Sequence, residues 1–244
     1  QPRRRRAYSG RVSEQRHRLL LAALSEEDRI DVRSAGGSGA GLFLLPPDHP
    51  DHTLGDEYLI VALRRRLRCP FAAGVPDPVH PPHCNHRSLK KGVCCGAALD
   101  PRDLHAATCN VGGGVDHGHN RIRDWLKGWL EERLGQAVAT EEFVTGWDRP
   151  KAELDEHGAP VIERARLDVA FVDAEGRRAY ADIAVTSAAT TSAENRSRRA
   201  ATDGVAAADM VRTKRSRYPA AKLPNSPMTP FVVEALGRLS PEAE

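Results

Sequence analysis

Residues 165–185 read Ala165-Arg-Leu-Asp168-Val-Ala-Phe-Val-Asp-Ala-Glu-Gly176-Arg-Arg-Ala-Tyr-Ala-Asp182-Ile-Ala-Val185. Apolar and polar residues alternate on both sides of Ala174-Glu175-Gly176. That is the pattern of a β-hairpin closed by a short loop with Gly in the left-handed position. If Asp173 pairs with Arg177, Asp168 falls opposite Asp182. Like charges directly opposite on one sheet face repel, at Cβ separations of roughly 4.5–5.5 Å. A cation between them would remove that penalty, so the pair marks a candidate metal-dependent hydrolase site. The competing reading is a solvent-facing pair partly offset by Arg166 and Arg177.

Working outward, the surrounding chain supplies the rest of an α/β core. Ile122, Trp125, Leu126, Trp129, Leu130 and Leu134 recur at helical spacing, and Gly135 follows as a C-cap. Val138 to Val144 is a strand candidate. Thr191 with Glu194 three residues on forms a capping-box signature, opening a helix that runs to about Arg217. Gly204 weakens that helix in the middle, and Pro219 stops it. Pro230 to Leu236 reads as a last strand. The expected order is helix, three strands, helix, strand, with no internal repeat.

The 244 residues suffice for one substantial domain with appendages or two small ones. No apolar run approaches the roughly 18 residues of a membrane span. Gln1-Pro-Arg-Arg-Arg-Arg6 has a basic start but no apolar segment behind it, unlike a secretory signal. Without an initiator Met, the chain is expected to be a fragment or a processed piece. The formal net charge is only +3, yet Arg196 to Lys222 holds eight Arg/Lys against two Asp. Arg64-Arg65-Arg66-Leu67-Arg68 is a second basic block. Such clusters suit a polyanion, or a solvated charged face. Three regions are expected: a basic, partly flexible tail over 1–82, a Cys/His module over 83–115 and the α/β domain over 116–240. Within the tail, Leu19 to Leu24 and Leu54 to Leu67 read as helical. Residues 33–41 read as a flexible Gly-rich connector, and Pro70 to Pro82 as a boundary.

Four of the five Cys fall between residues 84 and 109, close to several His. This crowding fits thiolate zinc ligation better than a disulfide framework. Cys84, Cys95, His105 and Cys109 make a Cys₃His set, with His105 and Cys109 able to share one face of a helical turn. Cys94 competes with Cys95, and His86 with Cys84. Gly96 favours Cys95, because a Gly lets nearby N–H groups turn toward sulfur. Buried free thiols beside surface His are the alternative.

Phosphodiester hydrolysis needs a divalent ion on the phosphate, a polarised water and positive charge on the developing oxyanion. Asp168 and Asp182 suit Mg²⁺ or Mn²⁺, and Glu141 (or Glu142) on the preceding strand is a candidate third ligand. Val211, Lys214 and Tyr218 fall at i, i+3, i+7, so Lys214 can share the face toward the sheet and is a candidate catalytic cation, although Arg212, Arg215 and Arg217 surround it and any of them is an alternative. Those arginines and Tyr218 are candidate DNA contacts. Tyr180-Ala-Asp-Ile183 resembles the Tyr-Ala-Asp-Asp turn of reverse transcriptases, but its fourth residue is Ile183 and the flanks form a regular strand, so a polymerase reading is rejected.

In this order, Cys84…Cys95-Gly96…His105…Cys109, Gly118-His119-Asn120, Arg166-Leu-Asp168, and Ala181-Asp182-Ile-Ala-Val-Thr186 resemble the C-terminal region of LINE-type (non-LTR) retrotransposon polyproteins. The resemblance covers roughly residues 84–236. It implies a Cys/His zinc knuckle joined to a restriction-like endonuclease of the PD-(D/E)xK class. More weakly, Gly39 to Leu67 is similar to the segment trailing the reverse transcriptase. On this resemblance Asp168 and Asp182 are the two acidic positions. Lys214-Arg-Ser-Arg217-Tyr218 matches the displaced Lys-x-x-Lys-Tyr-like lysine, with Arg in its second place. Leu167 stands where the family's Pro would be. His119-Asn120 matches the His-Asn pair that begins the first helix, taken here as DNA contacts. The expected activity is nicking of target DNA in the nucleus. The expected cofactors are structural Zn²⁺ and catalytic Mg²⁺ or Mn²⁺. DNA, possible element RNA and a covalently linked reverse transcriptase region would be the partners. The alternatives are a non-catalytic zinc-dependent nucleic-acid-binding module and a degenerate, inactive copy.

Overall fold

The hairpin forms in the register that the alternation requires. The computed structural model describes residues 2–40, 56–67, 69, 83–88, 92–99, 105, 109, 111, 114–190 and 192–244. Its helices and strands begin with α1 (Pro2–Ala23), α2 (Glu26–Ser34), α3 (Asp56–Leu67) and α4 (Gly114–Leu134). Strands β1 (Ala139–Phe143), β2 (Arg149–Leu154), β3 (Pro160–Glu163), β4 (Arg166–Val172) and β5 (Arg178–Thr186) follow. Helices α5 (Ala193–Ala201) and α6 (Val205–Arg217) lead to β6 (Met228–Glu234). Among the described residues no helix is long and apolar enough to cross a membrane. The proposed boundary at Pro70 to Pro82, the turn at Gly112-Gly113 and Thr191 lie outside the described residues.

In the β4–β5 hairpin, Val169 pairs with Ala181, Ala170 with Tyr180, Phe171 with Ala179 and Val172 with Arg178. Asp173 N–H donates to Arg177 O at 2.9 Å, and Gly176 takes φ +77° to close the loop. The four-stranded sheet runs β1-β4-β5-β6 and is mixed, since β6 lies parallel to β5 and the other pairs are antiparallel. A parallel neighbour needs a crossover, which α5 and α6 provide. Pro230, opposite Asp182, has no N–H for a ladder and sits on the edge strand, where that loss is tolerated.

Helix α4 covers one face of the sheet, with Leu126 and Leu130 buried against Val169, Ala181 and Ile183. Helix α6 covers the other through Ala207 and Val211 against Ala184 and Val232. A third cluster gathers Leu167, Ala170 and Tyr180 around Trp147, which is 1 % exposed. The Trp147 ring meets Tyr180 and Tyr218 edge-on, each at 5.6 Å, and its Nε1–H donates to Pro219 O at 3.0 Å. This hub ties the loop after β1 to the C-terminal end of α6.

Three local expectations are corrected. Residues between β1 and β4 form a second hairpin, β2–β3, which has no clear alternation in the sequence because Pro150, Gly158 and Pro160 make it read as loop. The single helix expected up to Arg217 is two helices, because Gly204 takes φ +67° between α5 and α6. Ser192 caps α5 by accepting from Asn195 N–H, in the role expected of Thr191. Gly204 offers α6 no side-chain cap, and the buried Glu234 carboxylate accepts Ala207 N–H there at 3.1 Å. A negative group at a helix N-terminus is favourable.

The Gly-rich stretch is docked and does not behave as a free connector over its described part. Leu239 N–H donates to Ser38 O, Ala40 is 2 % exposed, and a Cβ on Gly39 would lie 2.8 Å from Leu239. Helix α2 packs with it, placing Ile30 in a cluster with Ala188, Ala200 and Ala206. Residues 26–40 therefore share the core of the α/β region.

Truncating the hub tests this packing. Trp147→Ala is expected to lower unfolding free energy by about 3–5 kcal/mol in urea titrations, while zinc content per chain stays unchanged.

Candidate functional site

Two constellations emerge. The first is the Cys/His cluster. Strand-like bridges His83–Ala98 and Arg87–Cys94 form a short antiparallel ribbon, turned by Gly92 at φ +64°. Gly96 takes φ +68°, and its N–H donates to Cys84 O at 3.0 Å. The ligand atoms of Cys84, Cys95, His105 and Cys109 all lie within 4.8 Å of one another. Cys84 Sγ and Cys109 Sγ are 3.7 Å apart, far beyond a disulfide bond. Two sulfurs at tetrahedral angles on zinc, each bonded at about 2.3 Å, would be roughly 3.8 Å apart. Cys95 Sγ and His105 Nε2 approach to 3.3 Å. The donor set and its spacing thus fit one tetrahedral ion of the zinc type.

The competition between neighbours is resolved by geometry. Cys94 is exposed and paired across the ribbon with Arg87, outside the cluster. His86 is also outside it, with Nδ1 buried and without a hydrogen-bond partner. The Cys95 thiol is pushed down to about 7, first by the Ala97 N–H. That is the role anticipated for the turn at Gly96. Burial pushes Cys109 up to about 11.

The second constellation gathers Asp168, Asp182, Lys214 and His119. Asp168 closes the β4 side of the hairpin, and its Oδ2 accepts from Ile183 N–H at 2.6 Å. His119, near the start of α4, places Nε2 3.1 Å from the same oxygen. Asp182 lies on the central strand and is 3 % exposed. Lys214, from α6 on the opposite layer, brings Nζ to 2.7 Å from Asp182 Oδ2. At this distance the ammonium is the direct partner of the buried carboxylate oxygen.

The electrostatics follow from burial. Burial pushes Asp182 up to about 6, Lys214 opposes the rise and Asp168 adds to it. Burial is also the largest single influence on Asp168, but hydrogen bonds from His119 and Ile183 N–H outweigh it and leave that carboxyl below its ordinary value. His119 is raised, chiefly by its hydrogen bond to Asp168. The two carboxyls are thus driven apart, one ionised early and one late.

Other expected site residues are placed differently. Glu141 falls opposite Asp168 in the β1–β4 register, between the pairs Thr140–Val169 and Glu142–Leu167, and its carboxylate pairs with Arg123 and Arg166 at 2.5 and 3.2 Å. Its φ of +56° marks a local irregularity in β1. Glu142 is occupied by Arg178 and the Tyr180 hydroxyl. Tyr218 is 9 % exposed and packs against Trp147 in the hub, with the Arg217 guanidinium 5.2 Å from its ring centre. Arg217 donates to Trp147 O at 2.8 Å and acts as a structural tie. Arg212 and Arg215 are exposed, paired with Asp209 and Glu242 respectively. Asn120 is exposed, with its Oδ1 3.5 Å from His119 Nδ1. The contact between His119 and Asp168 was not legible, because it joins separate layers across 49 residues. No family model, curated protein or solved structure matches the chain.

Two measurements check these assignments. Cys109→Ser is expected to lose the bound zinc in a metal-to-protein stoichiometry, whereas Cys94→Ser keeps it. For Asp182, the unfolded chain releases its proton near about 3.9, and the folded protein near about 6. Across that window the folded state holds the extra proton, so this group's contribution to stability falls as pH rises and stays lost above it. Asp182→Asn removes the ionisation. Without added divalent cation, its stability relative to the parent should climb from about pH 4 to 6 and then level off in urea melts.

Proposed function

We propose that this chain is the metal-dependent DNA endonuclease region of a LINE-type retrotransposon polyprotein, built on a restriction-endonuclease-like core with a structural zinc module. One observation carries the reading. Asp168, Asp182 and Lys214 come from a hairpin and a later helix, and they converge with Lys214 Nζ 2.7 Å from Asp182. The element order of helix, strands, crossover helices and parallel strand is consistent with it, with the β2–β3 hairpin as an insertion.

Asp168 and Asp182 would hold Mg²⁺ or Mn²⁺, which supplies Lewis acidity and a water of lowered pKa when bound. The remaining work belongs to the chain. Burial of Asp182 keeps bulk water from its carboxylate. His119 and Ile183 N–H fix the Asp168 carboxylate orientation through one oxygen, leaving the other to face a ligand. Lys214 brings a full positive charge to the same place, where its ammonium can donate to a phosphate oxygen or orient the attacking water. The partners on this reading are target DNA, element RNA and a reverse transcriptase region in the same polyprotein, working in the nucleus.

A second reading is a non-catalytic zinc-dependent nucleic-acid-binding module or a degenerate copy. It draws on the pairing of Glu141, opposite Asp168 in the sheet, with Arg123 and Arg166, which occupy its carboxylate.

Incubation with supercoiled plasmid and Mn²⁺ or Mg²⁺ tests the proposal. The parent is expected to nick, and Asp182→Ala and Lys214→Ala to lower the rate by about a hundredfold or more. DNA binding and zinc retained by a parent that does not nick would move the conclusion to the second reading.

A further inference from the structure

A groove of about 850 Å³ opens beside Lys214, between α5, α6 and the start of β2. Its rim carries two arrangements of the same kind. Asp209 sits between Arg198, at 3.2 Å, and Arg212. Glu163 sits between Arg149, at 2.8 Å, and Arg217, at 3.7 Å. In each, one carboxylate is shared by two guanidinium groups, so each triad keeps a net positive charge. A shared acid also holds the long arginine side chains in place before any ligand arrives, which reduces the ordering cost of binding. Arg198 and Arg212 remain largely exposed, at 46 % and 64 %, so their remaining N–H groups face solvent.

Lys214 lines the same groove as Arg198, Asp209 and Arg212, and its Nζ lies 2.7 Å from Asp182 Oδ2. Guanidinium groups recognise phosphate oxygens through paired donors, and a row of cations along a groove follows a phosphodiester backbone. The projecting β2–β3 hairpin, by contrast, carries Asp155 and Glu156 next to its turn, which does not favour insertion of that tip into a nucleic acid. Arg215, on another side of α6, pairs with Glu242 and lies outside the groove.

We infer that this groove, with Arg198 and Arg212 held by Asp209, is the track that binds the phosphate backbone of a nucleic-acid strand leading into the Asp168–Asp182–Lys214 centre. This rests on the proposed function for what happens at the end of the track, but binding itself needs no cleavage. The backbone is gripped through charge, so affinity is independent of base sequence.

The test is binding of a fluorescein-labelled 20-base-pair duplex to the full zinc-loaded chain, without Mg²⁺ or Mn²⁺, across a salt series. Arg198→Ala/Arg212→Ala is expected to weaken binding by about tenfold and to reduce the slope of log K against log salt by about two, one for each phosphate that an arginine no longer neutralises. Asp209→Asn is expected to tighten binding severalfold, since it frees both arginines. Damage to the fold would weaken binding in both variants, so the opposite signs separate the track from a structural role. An unchanged salt slope in the double variant, or weaker binding by a folded Asp209→Asn, would overturn the assignment. Equal displacement of the duplex by polyglutamate would overturn it too, in favour of an acidic peptide. Binding with the stated signs, in a parent that never nicks, would uphold the track and remove the endonuclease.

Discussion

Two carboxylates in neighbouring positions across a hairpin repel, and most of the described α/β region is arranged around that fact. Asp168 and Asp182 are consecutive with the paired residues Val169 and Ala181, so the register alone brings them together. Neither can retreat into solvent. Asp182 is on the central strand beneath α6, and Asp168 is pinned by the Ile183 N–H. The surrounding fold answers the repulsion from both layers at once: His119 approaches from α4 and Lys214 from α6. A buried pair with these partners is tolerable as one ionised and one protonated group.

The position of Lys214 is itself a product of packing elsewhere. Helix α6 starts where Gly204 adopts a left-handed conformation and Glu234 accepts the Ala207 N–H. It ends at Tyr218, wedged against Trp147, with Arg217 tied to the Trp147 carbonyl. Both ends are thus anchored to other elements, to β6 and to the loop after β1. The span between them is set so that one lysine of a mostly arginine helix points at Asp182. The other basic side chains are sorted by the same anchoring: Arg217 inward, Arg215 to Glu242, Arg212 to the groove. Similar composition therefore gives different roles within a single helix.

The zinc-type cluster is built on a separate economy. Among the described residues of the Cys/His segment, the buried side chains are the thiols of Cys84 and Cys109. In such a segment, coordination takes the place of hydrophobic burial as the source of local stability. After Gly96, at positive φ, the Ala97 N–H reaches the Cys95 thiol, lowers it and favours the deprotonated form a metal needs.

What could be read directly from the chain was whatever depends on near neighbours or fixed periods. Alternation about Gly176 determined the hairpin register and hence the Asp168–Asp182 pairing, because a strand has a period of two and a one-residue slip would turn every side chain over. Helical spacing identified α4. Clustering of Cys and His between residues 84 and 109 pointed to a thiolate metal site, because soft ligands so close together have few other uses. The tertiary structure alone decided the rest. It chose Cys95 over Cys94 by their different sides of the ribbon, and paired the Glu141 carboxylate with Arg123 and Arg166. Burial took Tyr218 into the core, and packing between layers brought His119 to Asp168. These outcomes depend on which surfaces meet after long excursions of the chain, and no local period in the sequence carries that information.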